Sequence, residues 1–126
     1  MLKVNYPLCW AAAMLLLLAM SATAGPSSAK AAELVVYHSK DCAVSQRFQR
    51  EVVAHYGTTK GGRAFPMRLV DIEMRDADII LEQPVTQTPT FVFVDEGREM
   101  ARITGYPGRA HFLRIIDAAA DAFLSR

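Results

Sequence analysis

Cysteine is the scarcest reactive residue in this chain, and its scarcity sets the first bounds. Of the 2 cysteines in 126 residues, Cys9 precedes the apolar run Trp10–Met20, which leaves Cys42 alone in the remainder. One cysteine excludes an internal disulfide, the staple that exported domains of this size commonly use. No Cys-x-x-Cys or His-x-x-x-His pair occurs, so no dedicated metal site is expected. There is no basic stripe interleaved with aromatics, which argues against nucleic acid. Repeats and long low-complexity segments are also missing. The single long apolar run is too short for a comfortable membrane span.

That run follows Lys3 and precedes two small-residue sites, Ala22-Thr23-Ala24 and Ala29-Lys30-Ala31, which is the pattern of an export leader. Residues 1–24 are therefore expected to be a signal peptide, cleaved after Ala24 or Ala31, with an uncleaved anchor as the other reading. Residues 25–32 are expected to form a flexible segment and 33–126 one folded domain. The protein then lies outside the cytoplasm, most simply in a bacterial periplasm, with no stable membrane anchor. Losing Lys3 and Lys30 with the leader reduces 14 Lys/Arg to 12, against 13 Asp/Glu, so the folded part is near neutral.

Within the domain, "ELVVYH" (Glu33–His38) is short, apolar and β-branched, the signature of a buried strand. From Ala43 to Tyr56, Val44, Phe48, Val52 and Tyr56 drift slowly round one helix face, with Ser39 or Asp41 as candidate caps and Gly57 as the stop. "GTTKGGR" reads as a loop, and Met67–Ile72 as a second strand. The stretch 73–83 reads as a short helix or an irregular crossover before Pro84. Thr90–Val94 and Glu99–Thr104 are strands joined by a "DEGR" hairpin turn. After the "GYPGR" break, His111–Leu124 is helical, with Phe112, Ile115, Ile116, Ala119 and Phe123 on one side. The order β-α-β-(α)-β-β-α describes an α/β domain with a four-stranded mixed sheet flanked by helices. Its first crossover is right-handed and its first two strands are parallel.

With Cys42 at the first strand–helix junction and "TPT" (Thr88–Thr90) leading into the third strand, this order resembles the thioredoxin/glutaredoxin superfamily. The block "TPTFVFVDEGREMARITGYPG", together with "LVDIE", is most similar to periplasmic thioredoxins associated with bacterial sulfur-oxidation systems. The resemblance implies a thioredoxin-like fold, a cis-proline at Pro89 and a substrate groove in which Thr88, Gly105 and Tyr106 meet a peptide or glutathione. It also implies thiol–disulfide exchange. The sequence departs from that group at its chemical centre, where Cys-x-x-Cys is replaced by Cys42-Ala43-Val44-Ser45.

The residues at that centre have their own physical reading. A cysteine at a helix N-terminus is favoured as the thiolate by unpaired backbone N–H groups. Lys40 and His38 add positive charge nearby, while Asp41 opposes it; Lys40 is a further substrate-binding candidate. Ser45, three residues on, shares the first helical turn with Cys42. Its hydroxyl can hydrogen-bond a thiolate but cannot attack a disulfide, so Cys42 and Ser45 form a catalytic pair with one nucleophile. A second thiol, from another molecule, has to release anything joined to Cys42.

Two functions follow. One is a monothiol exchange protein whose partner is a protein thiol or disulfide, in the resemblance a sulfur-carrier protein kept reduced or unblocked. It needs no cofactor, though glutathione or another small thiol suits it as co-substrate. The other is a non-enzymatic binding or redox-sensing module. A monomer and a Cys42-linked dimer are both compatible with one exposed thiol.

Overall fold

β1 (Glu33–His38) buries four consecutive residues, Leu34 to Tyr37, and is the strand around which the others are arranged. The computed structural model describes residues 30–74 and 78–126; the expected signal peptide and most of the flexible segment lie outside them. β1 pairs with β2 (Met67–Asp71) on one side and β3 (Thr90–Asp95) on the other, and β3 pairs with β4 (Arg98–Thr104), giving the sheet order β2-β1-β3-β4. β2 runs parallel to β1, while β3 and β4 are antiparallel to their neighbours. The four-stranded sheet is therefore mixed, with the expected parallel first crossover.

Strand geometry explains why the two central strands read as continuous apolar runs. Successive side chains point to opposite faces, and here both faces are covered. Leu34, Val36, Phe91 and Phe93 face the larger core, with Phe48, Val52, Tyr56, Phe65, Phe112, Ile116 and Ala120. Val35, Tyr37, Val92 and Val94 face a smaller one, closed by Ile79 and backed by Leu81 and Val85. The register matches the alternation, with Leu34 opposite Phe93 and Val36 opposite Phe91. A two-residue turn at Glu96 and Gly97 joins β3 to β4; both residues have positive φ, 51° and 75°, which gives the twist a tight hairpin requires.

The helical crossover is less regular than its sequence. It begins as α1 (Ala43–Phe48), widens into a π-helical stretch at Gln49–Val53, and ends as α2 (Ala54–Tyr56). Phe48, Val52 and Tyr56 are buried as their spacing predicts, but Val44 is 44% exposed. It lies two residues beyond Cys42, at the end of the helix that opens to solvent rather than over the core. The helix is not capped by the Ser39 or Asp41 side chain. Cys42 is itself the N-cap, its sulfur accepting from the Ser45 N–H, and Ser39 serves the preceding turn through a bond from the Asp41 N–H to its hydroxyl.

The "GTTKGGR" segment is a correction: its second half is helical, α3 (Lys60–Ala64), with the Thr59 hydroxyl accepting from the Gly62 N–H. Two adjacent glycines disfavour a helix by propensity, and tertiary packing overrides that. α3 lies against α4 (Arg109–Leu124), with the Gly61 N–H bonded to the Asp117 carboxylate at 2.9 Å and Lys60 paired with Asp121. A Cβ on Gly61 would meet the Ile116 side chain at 2.4 Å, and one on Gly62 would meet the Tyr56 carbonyl at 1.9 Å.

The described part of the next crossover is irregular rather than helical. Ile80 bridges to Arg98, its N–H donating to the Gly97 carbonyl at 2.8 Å and its own carbonyl accepting from Glu99 at 3.0 Å. Arg102 fastens the following residues, binding the Gln83 carbonyl at 2.7 Å and the Glu99 carboxylate. That pairing holds the Glu99 carboxyl below the usual carboxylate range. No helix among the described residues is long and apolar enough to cross a membrane.

The close approach at Gly62 separates two substitutions that look alike in sequence. Gly57 has open space around its Cβ position and helical φ of −62°. Gly57→Ala is therefore expected to be neutral or stabilising by up to about 1 kcal/mol. Gly62→Ala is expected to destabilise by about 2 kcal/mol or more, because backbone must move. Urea denaturation of the two reduced variants measures the difference.

Candidate functional site

The end of β1 delivers the chain into a tight turn. The Cys42 N–H donates to the Ser39 carbonyl at 3.2 Å, and the Gln46 N–H then takes the Cys42 carbonyl at 3.0 Å, which starts the helix. Cys42 is thereby fixed just beyond the C-terminal end of the central strand β1, partly exposed. On the helix side, the Ser45 N–H points to Sγ at 3.5 Å. Ser45 is fully buried, and its Oγ accepts from the Ser39 N–H at 3.4 Å, which leaves its own hydroxyl proton for the sulfur.

Thr88 closes the other side. The Thr88–Pro89 peptide bond is cis, and the Thr88 carbonyl lies 3.4 Å from Sγ as an acceptor for the thiol. Thr88 thus presents two groups of opposite effect. Its carbonyl favours the protonated sulfur, and its side chain favours the anion. The sum falls on the anionic side: the Cys42 pKa is lowered to about 7, first by the Ser45 side chain, then by Thr88 and the Ser45 N–H, with burial opposing them. Hydrogen bonds to the charged form do this work. Lys40 is exposed and is not brought to the sulfur; its carbonyl accepts from the Gln46 side chain at 2.6 Å. His38 is turned to Gln49 instead, Nδ1 to Nε2, at 3.3 Å.

Gly105 and Tyr106 divide the roles expected of them. The Gly105 N–H donates to the Pro89 carbonyl at 2.8 Å with φ of 84°, so the loop after β4 is tied directly to the residue beside Thr88. Tyr106 turns toward the helix. Its ring packs edge-on against Phe48, with centroids 5.4 Å apart, and its hydroxyl donates to Glu51 at 2.6 Å. Its outer surface borders an open depression of about 410 Å3 lined by Ile103, Pro107, His111 and Ile115. Glu51 also takes the Arg47 guanidinium at 2.8 Å, and Arg47 lies over the Tyr106 ring at 5.6 Å. The Tyr106 hydroxyl and Arg47 together hold the Glu51 carboxyl below its usual range. Burial and the facing carboxylate push the Tyr106 phenol up to about 12.

Glu51 is the residue that sequence reasoning missed. Its i,i+4 relation to Arg47 is a readable helix pair, but nothing local marks it as the acceptor for a tyrosine 55 residues away.

A cysteine-bearing strand–helix junction facing a cis-proline, on a four-stranded mixed sheet with helices, defines a thioredoxin-type architecture. The sequence matches the thioredoxin-like domain family over residues 22–120, and the chain belongs to that family. Among solved structures it is similar to the periplasmic thioredoxin SoxS from Paracoccus pantotrophus in its reduced form, with 28% identity and a TM-score of 0.67. The match covers 71% of this chain and 96% of that one. A comparison with curated proteins returned no match.

The alkylation rate of Cys42 should follow a midpoint near pH 7, the value its neighbours set. Ser45→Ala removes the largest stabilising influence and is expected to raise that midpoint by roughly one unit. Stability should carry the same signature. Because the folded thiol ionises below the unfolded one, at about 8.5, the thiolate contribution is fully present above that value. It is lost as pH falls through about 7. Relative to Cys42→Ala, the reduced protein should gain stability between about pH 6 and about pH 9, as read by urea midpoints.

Proposed function

We propose that this protein is an exported thioredoxin-like protein that exchanges disulfides through Cys42 alone. The observation that carries the reading is the sulfur itself: partly exposed, flanked by Ser45 and the Thr88 backbone, and ionised near neutral pH. A thiolate with that pKa combines a large reactive fraction with useful nucleophilicity. The leader-like N-terminal sequence and the likeness to a periplasmic thioredoxin support the periplasm as its location.

In the forward step the Cys42 thiolate attacks one sulfur of a disulfide. A Cys42–substrate S–S bond forms, and the other substrate sulfur leaves as a thiolate. Ser45 has no sulfur with which to complete a second displacement, so an external thiol such as glutathione attacks the mixed disulfide and returns Cys42 as thiolate. The net reaction consumes one external thiol: it becomes disulfide-bonded to one substrate sulfur, the other substrate sulfur leaves as a thiol, and Cys42 is regenerated. The Thr88 backbone is the surface along which an extended peptide would lie. The proposed client is a protein thiol held in a mixed disulfide, with a sulfur-carrier protein favoured by the motif resemblance.

Turnover on a glutathionylated peptide with excess glutathione tests this. The wild type is expected to accelerate deglutathionylation at least tenfold over Cys42→Ser, and Cys42 should be trapped as a mixed disulfide when glutathione is withheld. Equal rates for the two proteins would sink the exchange reading. Partner capture that persists in Cys42→Ala would then favour a binding module.

A further inference from the structure

The site is closed into a ring by contacts that lie outside it. Cys42 and Glu51 stand on one continuous helical run, nine residues apart in sequence. From Glu51 the ring passes to the Tyr106 hydroxyl at 2.6 Å. It runs through the adjoining Gly105 N–H to the Pro89 carbonyl at 2.8 Å, and from the cis-linked Thr88 back to the Cys42 sulfur at 3.4 Å. Thr88 therefore cannot shift relative to the sulfur without moving Gly105, and Gly105 is next to the side chain that Glu51 holds.

The helix departs from α-geometry at Gln49–Val53, around Glu51. π-helical turns persist where a local function offsets their poorer hydrogen bonding. Here the wider turn buries Val52 in the core while Glu51, beside it, reaches the loop. Glu51 is not an ordinary surface charge, since it takes a phenol and a guanidinium at once. Arg50 and Arg109 add positive potential around the pair.

We propose that Glu51 is a positioning residue, which through Tyr106 and Gly105 fixes Thr88 against the Cys42 sulfur and so sets the reactivity of the thiol. This rests on the reading of Cys42 as the working nucleophile, but its test is separate. Wild-type alkylation against pH examines the nucleophile, and the change in midpoint among variants examines Glu51.

Two mechanisms predict different patterns among variants. Acting only as a charge, Glu51 would disfavour the thiolate, so its removal would lower the Cys42 midpoint. Acting by position, its removal loosens Thr88 against the sulfur it contacts at 3.4 Å, so the midpoint moves whenever the Tyr106 contact is broken and stays put when that contact is kept without the charge.

Three variants separate these effects. Glu51→Ala removes both charge and acceptor. Tyr106→Phe removes only the hydroxyl and keeps the ring against Phe48. Glu51→Gln removes the charge and keeps an acceptor for the phenol. The expected result is a shift of about half a pH unit, in the same direction, for Glu51→Ala and Tyr106→Phe. Glu51→Gln should stay close to wild type. In the double variant Glu51→Ala/Tyr106→Phe the shift should not exceed that of either single one, since both break the same contact. A midpoint unmoved in folded Tyr106→Phe, or moved as far in Glu51→Gln as in Glu51→Ala, would overturn the proposal. Should Glu51→Ala fail to fold, Tyr106→Phe alone decides.

Discussion

Phe48 is the side chain on which both the fold and the site depend. It is fully buried, and three rings meet it: Phe91 at 4.8 Å, Phe112 at 5.3 Å and Tyr106 at 5.4 Å between centroids. Those partners belong to β3, to α4 and to the loop that ties down Pro89. One aromatic thus joins the helix that begins at Cys42 to every other segment that surrounds the sulfur. Edge-to-face contacts of this kind are directional as well as apolar, so the cluster fixes the orientation of the helix along with its distance from the sheet.

The chemistry laid over that scaffold relies on short-range dipoles. Ser45 and Thr88 stabilise the thiolate by hydrogen bonds, and the nearby Lys40 and Asp41 side chains are left in solvent. Exposed charges are screened by salt, whereas a hydroxyl buried behind the sulfur is not. The reactivity of the thiol is therefore insulated from the ionic strength of its surroundings. Thr88 supplies the balance: a carbonyl and a side chain on one residue pull the proton equilibrium in opposite directions.

Much of this was legible in the chain, and the reasons for the exceptions are physical. Glu33–His38 could be delimited because a strand buried on both faces leaves an unbroken β-branched apolar run. The two-residue turn at Glu96-Gly97 was visible because positive φ restricts the residue types. α3 was hidden because Gly61 and Gly62 contradict helix propensity, and they are there to admit Ile116 and the Tyr56 carbonyl, contacts that only the folded chain reveals. The π-helical widening left no mark, since Phe48, Val52 and Tyr56 keep a spacing that suits a plain helix. Cys42, Ser45, Thr88 and Pro89 stood out through motif order. The division between Gly105, which braces Pro89, and Tyr106, which reaches back to Glu51, depended on side-chain direction and lay beyond any pattern in the sequence.

If Cys42 works as proposed, the buried position of Ser45 also limits the direction from which a mixed disulfide could be opened. Displacement at sulfur requires the incoming, central and departing atoms to lie nearly in a line. Behind the Cys42 sulfur that line runs into the Ser45 N–H and side chain, which are packed inside the protein. The substrate's own sulfur is the one left open to solvent. An arriving thiol would therefore meet the outer atom of the pair, with the Cys42 sulfur as the departing group, a role its lowered pKa suits. On the proposed exchange, the thiol that enters would stay with the substrate side, and the protein would be returned reduced.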